Sequence, residues 1–233
     1  MFTLYKSEER TVVSGLSGLS SDIFFSSDNE KYLRFGNLVQ VTHSILNSGS
    51  GNHGMKLHRN MELVDIILSG EVGFQDSFGG TSTFPEGTLQ VISSGKGLYQ
   101  QEFNAGETTA EKLQLGFLPN TLNGAAIKTK GIFDLERNRN AFVELVSPDN
   151  TASLTVRQQA AVLMGAFDEG RHMGYSVNDN SVGLFVYIVS GALSVHNQML
   201  RQGDSAGIIE EEQTLLHTTE NSKVLLIEVS LNN

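Results

Sequence analysis

The apolar residues of this chain fall in short bursts of strand length that are broken by Gly, Asn, Asp and Ser. Runs such as 62–68, 184–189 and 224–229 are too short for helices, and no window of helical length carries a convincing 3.6-residue period. Apolar bursts bounded by turn residues are typical of β-strands. The sequence therefore predicts an all-β fold, a sandwich or barrel, with few and short helices.

A weak internal repeat indicates two β domains of related topology. Residues 66–72 read I-I-L-S-G-E-V and resemble residues 187–193, Y-I-V-S-G-A-L, each a strand, a Ser-Gly turn and a returning strand. Two further landmarks follow in the same order in both halves: a Gly-centred turn at 85–87 and 201–203, and strands beginning at Lys112 and Lys223. We predict one domain over 1–122 and a second over 123–233, with a linker at about 119–140.

Composition excludes several classes of site and partner. The 233 residues contain no cysteine, which excludes disulfides, thiolate nucleophiles and Cys-ligated metal. The net charge of -10 argues against a broad nucleic-acid surface, and we interpret the basic residues of 128–157, which alternate with acidic ones, as a solvated linker. No apolar run is long enough for a membrane span, and the N-terminus lacks a signal-peptide core. The expected location is cytoplasmic, without a membrane or a nucleic acid as partner.

The segment from residue 56 to residue 103 carries a family resemblance. The runs H-R-N-M-E at 58–62, L-S-G-E-V at 68–72, Q-D-S-F-G at 75–79, P-E-G at 85–87 and S-G-K-G-L-Y-Q-Q-E at 94–102 resemble the signature of the pirin family within the cupin superfamily. Residues 147–159 resemble the opening of the second domain of shorter bacterial pirin-like proteins. The resemblance implies a bicupin, two cupin-type jelly-roll barrels (double-stranded β-helices) in one chain.

The resemblance also implies a set of pocket residues. Pirins hold iron through a His-x-His pair on one strand and a His-x-Glu pair on a later strand, and residues i and i+2 of a strand share a face. The corresponding positions here are Lys56, His58, Gln100 and Glu102. Only His58 and Glu102 are competent metal ligands, because Lys56 brings a positive charge and Gln100 offers a weak amide oxygen.

Neighbouring residues leave alternatives open for completing the site. His53 lies in a Gly-rich turn and is expected to be an exposed loop histidine, with a role as an additional ligand as the alternative. Glu62 is expected to line the pocket or to make a structural hydrogen bond, with a role as a third metal ligand as the alternative. His43 alternates with the apolar residues of its strand and is interpreted as a packing residue. The three remaining histidines lie in the second half without a metal-like pair: His172, His196 and His217.

Two functions of different class follow from the resemblance and the departures from it. The first is a pirin-like module with a degenerate metal site that binds a small molecule or a protein partner and carries no cofactor. The alternative is a metal-dependent dioxygenase of the quercetinase type that uses iron, nickel, copper or zinc. Because an isolated buried charge is costly, we also predict that a Lys56–Glu102 ion pair has replaced the metal.

Overall fold

The computed structural model describes residues 1–24, 33–50, 54–148, 154–155, 160–177, 179 and 181–232. Within these ranges the chain forms 22 strands and a single short 3₁₀-helix, Ser7–Glu9. The strands up to residue 117 are β1 (Phe2–Tyr5), β2 (Thr11–Gly15), β3 (Gly18–Asp22), β4 (Leu38–Leu46), β5 (Lys56–His58), β6 (Glu62–Ser69), β7 (Glu71–Asp76), β8 (Thr81–Pro85), β9 (Thr88–Ser93), β10 (Leu98–Asn104) and β11 (Ala110–Phe117). The later strands are β12 (Ile127–Ile132), β13 (Phe142–Ser147), β14 (Leu154–Thr155), β15 (Ala160–Phe167), β16 (His172–Ser176), β17 (Val182–Ser190), β18 (Ala192–Val195), β19 (Gln198–Arg201), β20 (Ser205–Ile208), β21 (Gln213–Thr218) and β22 (Ser222–Ser230).

The strands form two barrels whose sheets have matching strand positions, although the outermost pair is antiparallel in the first barrel (β2 and β3) and parallel in the second (β13 and β14). In the first barrel, a seven-stranded sheet of order β12-β9-β6-β11-β4-β3-β2 faces a four-stranded sheet of order β5-β10-β7-β8. In the second barrel, the corresponding sheets are β1-β20-β17-β22-β15-β13-β14 and β16-β21-β18-β19. Each strand of the first barrel thus has a counterpart at the same place in the second. The prediction of an all-β bicupin is confirmed.

The predicted boundary at residue 122 is crossed by two strands. Strand β12 lies in the stretch predicted as a linker, yet it pairs along its whole length with β9 and completes the first large sheet. Strand β1 precedes the first barrel in sequence, yet it pairs with β20 and completes the second large sheet. Each barrel therefore receives an edge strand from the other side of the boundary. The Gly- and Lys-containing sequence of β12 hid this strand, because five of its six residues are exposed or polar.

The two large sheets pack against each other and form the main apolar core. In β6, Val64, Ile66 and Leu68 point to this core, where they meet residues of the second barrel such as Phe185 and Ile227. The other face of β6 points into its own barrel. Both faces of the central strands are consequently buried, so polar residues on the second face lie inside the barrel. Within the described part of the chain, no helix has the length and apolarity that a membrane crossing requires.

The Ser-Gly landmarks of the repeat have a common structural cause. Gly70 and Gly191 adopt φ values of 70° and 80°, in the left-handed region that favours glycine. A Cβ at Gly191 would lie 2.2 Å from the carbonyl oxygen of Asn221, and one at Gly70 would lie 2.8 Å from the backbone of Ala110. Both glycines therefore make the same tight turn, from β6 to β7 and from β17 to β18.

Candidate functional site

A cavity of about 510 Å³ lies inside the first barrel, a volume within the usual range of small-molecule sites. All four predicted positions, Lys56, His58, Gln100 and Glu102, line it. Strands β5 and β10 are antiparallel neighbours with Gln100 opposite Lys56, and the two-residue spacing on each strand turns both pairs of side chains to the same face. The pairing of β5 with β10 thus brings these four residues to one cavity.

Lys112 is the central charge of the cavity, and the sequence reasoning did not single it out. Its side chain is 2 % exposed, and its Nζ lies 2.5 Å from Oε2 of Glu102 and 3.2 Å from Oδ1 of Asp65. Burial alone would lower the pKa of Lys112, but the attraction of Glu102 and Asp65 and their hydrogen bonds outweigh it and raise the pKa above its ordinary value. Lys112 is therefore a permanent buried ammonium at neutral pH.

Asp65 is held by neutral donors as well as by the ammonium. Its side chain is fully buried, and it accepts hydrogen bonds from Gln90 Nε2 and Gln114 Nε2, each 2.8 Å long. These four side chains form the interior polar layer of the first barrel: Asp65, Gln90, Lys112 and Gln114. The layer continues through Gln40, whose Nε2 donates to Gln114 at 2.8 Å. Such a network rigidifies the floor of the cavity, because each member fixes the orientation of its neighbour.

His58 is partly buried among these charges. Burial lowers the pKa of His58, and the ammonium groups of Lys112 and Lys56 add to this effect, while Asp65 and Glu102 oppose it. The imidazole is therefore neutral near pH 7, with one N–H donor and one acceptor nitrogen. A neutral imidazole at the wall of the cavity can bind a metal ion or exchange hydrogen bonds with a ligand.

The second barrel provides an internal comparison for the polar layer. Strand pairing gives the counterpart of each member of the layer. In the first barrel, Asp65 is opposite Gln90 and Gln114. In the second barrel, Val186 is opposite Ala206 and Leu226 in the same way. The counterparts of the layer, all of them with no exposed surface, are Val186, Ala206, Val224 and Leu226. The same fold is thus built once with a polar interior and once with an apolar one.

Comparison with known families covers most of the chain. The family model described as Pirin matches residues 7–116, and the model described as Quercetinase C-terminal cupin domain matches residues 144–229. The chain is a pirin-like bicupin. A pirin-like protein of Caulobacter vibrioides is 26% identical over 175 residues, 74% of this chain and 75% of that protein. The quercetin 2,3-dioxygenase of Escherichia coli K12 is 24% identical over 200 residues, 85% of this chain and 84% of that enzyme.

Solved pirin structures have the same fold. The nickel(II) complex of the bacterial pirin YhhW from Escherichia coli superposes with a TM-score of 0.89 at 22% identity and covers 99% of both chains. A quercetin 2,3-dioxygenase of Acinetobacter baumannii superposes with a TM-score of 0.84 at 20% identity, covering 99% of this chain and 87% of that one. At these identities the likeness establishes the architecture of this pirin-like chain.

The predicted pairing of Lys56 with Glu102 is wrong. Lys56 lies on the short strand β5 at the mouth of the barrel and is exposed, whereas the ammonium at Glu102 belongs to Lys112. Lys112 reaches Glu102 because β11 is the central strand of the large sheet and turns this side chain into the barrel. An ammonium does stand beside Glu102, but it comes from the floor of the cavity.

Glu62 does not line this cavity, although the sequence placed it there. It shares the face of Val64 and Ile66, which point away from the barrel interior. Glu62 is 3 % exposed, and its carboxylate accepts a 2.6 Å hydrogen bond from Ser93 Oγ. Glu62 therefore has the structural role that was its alternative. His53 lies outside the described residues.

The other histidines of this pirin-like chain make contacts that the sequence did not predict. His172 and His217 are opposite each other on β16 and β21, and their rings stack with centroids 4.0 Å apart. His43 packs between the barrels as expected, and it also bridges Tyr187 Oη at 2.8 Å and Glu111 Oε1 at 2.7 Å. Among the residues that the structure describes, no group of three or more His, Asp or Glu is arranged to hold a metal ion.

Proposed function

We propose that the first barrel is a metal-free pocket for a small organic molecule, in which the Lys112 ammonium, and not a metal ion, neutralises Glu102. The observation that carries the proposal is the 2.5 Å contact between Lys112 Nζ and Glu102 Oε2, within a cavity of ligand size. The side chain is 2 % exposed and lies between two carboxylates, so the ammonium would lose both counter-charges if it left Glu102 and Asp65.

The donor set does not fit a divalent metal ion of the kind bound in the nickel(II) complex of YhhW. Of the two competent ligands, Glu102 is paired with the Lys112 ammonium, and His58 lies near the positive charges of Lys112 and Lys56. A divalent cation at this place would meet the repulsion of Lys112 at short range, in a medium that screens charge poorly. Gln100 and Lys56 offer no strong replacement ligand.

The contrast between the barrels supports a binding function for the polar layer. Burying a charged pair rarely stabilises a protein more than well-packed apolar residues of similar volume. The second barrel has apolar residues at the same positions, so the fold does not require the polar layer of the first. What the layer provides is a fixed array of charges and amides at the floor of an accessible cavity, as expected of a small-molecule site.

Metal analysis of the purified protein tests the proposal. We expect iron, nickel, copper and zinc far below one ion per chain, both as isolated and after incubation with each metal and desalting. The stacked pair of His172 and His217 could bind metal at the surface, so the measurement is made in parallel on the His172→Ala/His217→Ala variant. One metal ion per chain that persists in this variant and disappears with His58→Ala would overturn the proposal.

The alternative, a metal-dependent dioxygenase of the quercetinase type, rests on the names of the relatives. It predicts oxygen consumption with quercetin once the protein has been incubated with iron, nickel, copper or zinc. The metal-free proposal predicts no turnover above a control without protein. Turnover that is lost in Glu102→Gln would favour the enzyme.

A further inference from the structure

We propose that the ligand of this pocket is a small organic carboxylate with an apolar body, held by Lys56 and Gln100 at the wall that β5 and β10 form. The inference rests on the metal-free pocket proposed above and names the chemical class that it recognises. The inference compares the polar groups of the cavity that have hydrogen-bond or ion-pair partners among the described residues with those that have none.

Gln100 is the clearest sign of a missing partner. The residue is 4 % exposed and lines the cavity, yet its Nε2 has no hydrogen-bond partner among the described residues. A buried amide donor without an acceptor destabilises the folded protein. Gln100 is part of the cavity lining, so a rotation of its amide towards the cavity would bring Nε2 to an acceptor atom on a bound ligand and remove this cost.

Lys56 adds a charge next to this donor. The two residues are opposite each other on antiparallel strands, where Cβ atoms are typically about 5 Å apart. Lys56 makes no ion pair with any described residue, and it is an exposed residue of the cavity lining. An ammonium and an amide N–H on neighbouring side chains can bind the two oxygens of one carboxylate.

Two carboxylates of the cavity, in contrast, are already engaged. Glu102 is paired with the Lys112 ammonium, and Asp22 accepts a short hydrogen bond from Thr42 Oγ1. An incoming cation would have to compete with these protein donors. An incoming anion can bind Gln100 and Lys56 without displacing an acceptor of the described residues. The polarity of the unpartnered groups therefore selects an acceptor-bearing ligand.

The opposite rim determines the rest of the ligand. The hairpin of β2 and β3 and the adjacent strand β4 bring Val13 and Leu46 to the cavity, on the sheet face that also carries Lys112. Covering apolar surface of this kind favours binding. An aromatic or aliphatic body attached to the carboxylate would cover these side chains while its charged end reaches β5 and β10.

Calorimetric titration with matched pairs of probes tests the inference. The probes are benzoate, phenylacetate and hydrocinnamate, each compared with its uncharged amide. We expect at least one carboxylate to bind about tenfold or more tightly than its amide, since a charge-assisted hydrogen bond is lost with the charge. Lys56→Met and Gln100→Leu should each weaken carboxylate binding about tenfold, whereas Lys96→Met, an exposed lysine of the same barrel away from the cavity, should leave it unchanged.

The outcomes separate the two proposals. Binding of an amide as tightly as its carboxylate, no binding of any carboxylate, or unchanged affinity in Lys56→Met with a normal unfolding midpoint would overturn the carboxylate inference. Each of these results leaves the metal-free pocket in place if the metal analysis is negative. Stoichiometric metal in the purified protein overturns the metal-free pocket itself.

Discussion

Replacing Lys112 by Met is expected to destabilise the protein by leaving two carboxylates without their shared ammonium. Methionine has a similar length and volume, so the substitution removes the charge without opening a large cavity. Asp65 has no exposed surface and Glu102 has 23 %, so neither carboxylate can turn fully to solvent. The loss therefore measures the electrostatic role of the ammonium.

The magnitude follows from the surroundings of each carboxylate. Removing one partner of a buried ion pair costs roughly 3–5 kcal/mol. Asp65 keeps its two hydrogen bonds from Gln90 and Gln114, and Glu102 borders the cavity, where water can reach it. We therefore expect the low end of that range, about 3 kcal/mol at pH 7.

The pH dependence has a definite sign. Because the pKa of Lys112 is raised in the folded state, its contribution is complete below the ordinary lysine pKa of about 10.4 and is lost only as the pH rises through the folded value. Wild-type protein thus keeps the contribution throughout the neutral range. In Lys112→Met the penalty should shrink towards acid pH, where the freed carboxyls take up protons.

Urea unfolding followed by far-ultraviolet circular dichroism measures these differences, since the chain has no tryptophan for fluorescence. Arg139→Met is the control for an exposed ion pair: Arg139 is paired with Glu136 and Asp168, all three side chains are at least 39 % exposed, and the unfolding midpoint should change little. The double variant Lys112→Met/Glu102→Gln should recover about 1 kcal/mol or more of the cost of Lys112→Met. An unchanged midpoint for Lys112→Met, or no recovery in the double variant, would refute the electrostatic account.

Two further predictions concern the metal site and the contact between the barrels. The double variant Lys56→His/Gln100→His should bind nickel or iron poorly, whereas the triple variant that also carries Lys112→Met should bind one metal ion per chain. Elemental analysis measures both. Equal metal content in the double and the triple variant would contradict the role of the ammonium. The hydrogen bond from His43 lowers the pKa of Glu111, so this carboxylate stabilises the protein above the ordinary glutamate pKa and less as the pH falls through its folded value. Glu111→Gln should accordingly cost about 1 kcal/mol or less at pH 7, and the difference from wild type should disappear in acid, as a pH series of urea midpoints would measure.

The sequence was sufficient for the architecture because its signals are local. Strand-length apolar bursts and Ser-Gly turns each act within a few residues and predict two β domains, while the bicupin and the four positions at the cavity wall are implied by the resemblance to pirins. The residues that were missed or misplaced depend on which strands become neighbours. His172 and His217 stack because β16 pairs with β21, and β12 joins the first barrel because it pairs with β9.

Lys112 was missed for a more specific reason. In the run K-L-Q-L-G-F at 112–117, alternation of polar and apolar residues is typical of a strand with one face in water. Here the strand is central, and the polar face lies inside the barrel. The internal repeat also matched Lys112 with Lys223. Lys112 is opposite Ile67, and the repeat places Ile188 at the position of Ile67. The residue opposite Ile188 is Val224, whereas Lys223 is opposite Ser190, so Val224 is the true counterpart of Lys112. A slip of one residue turns every side chain to the other face and concealed the contrast between the barrels.

That contrast bears directly on what the first barrel is for. The central strands β9-β6-β11-β4 of the first barrel and β20-β17-β22-β15 of the second are paired in the same order, yet their interior layer is polar in the first barrel and apolar in the second. Burial of Lys112 and Asp65 offers no stability that apolar packing could not supply, and it makes the fold depend on two charges remaining paired. The pair is explained by its position, since it neutralises Glu102 at the cavity and leaves Gln100 Nε2 and Lys56 as donors without acceptors among the described residues. The interior charge thus determines the sign of the ligand: a pocket whose carboxylates are already satisfied recognises the groups that satisfy its donors.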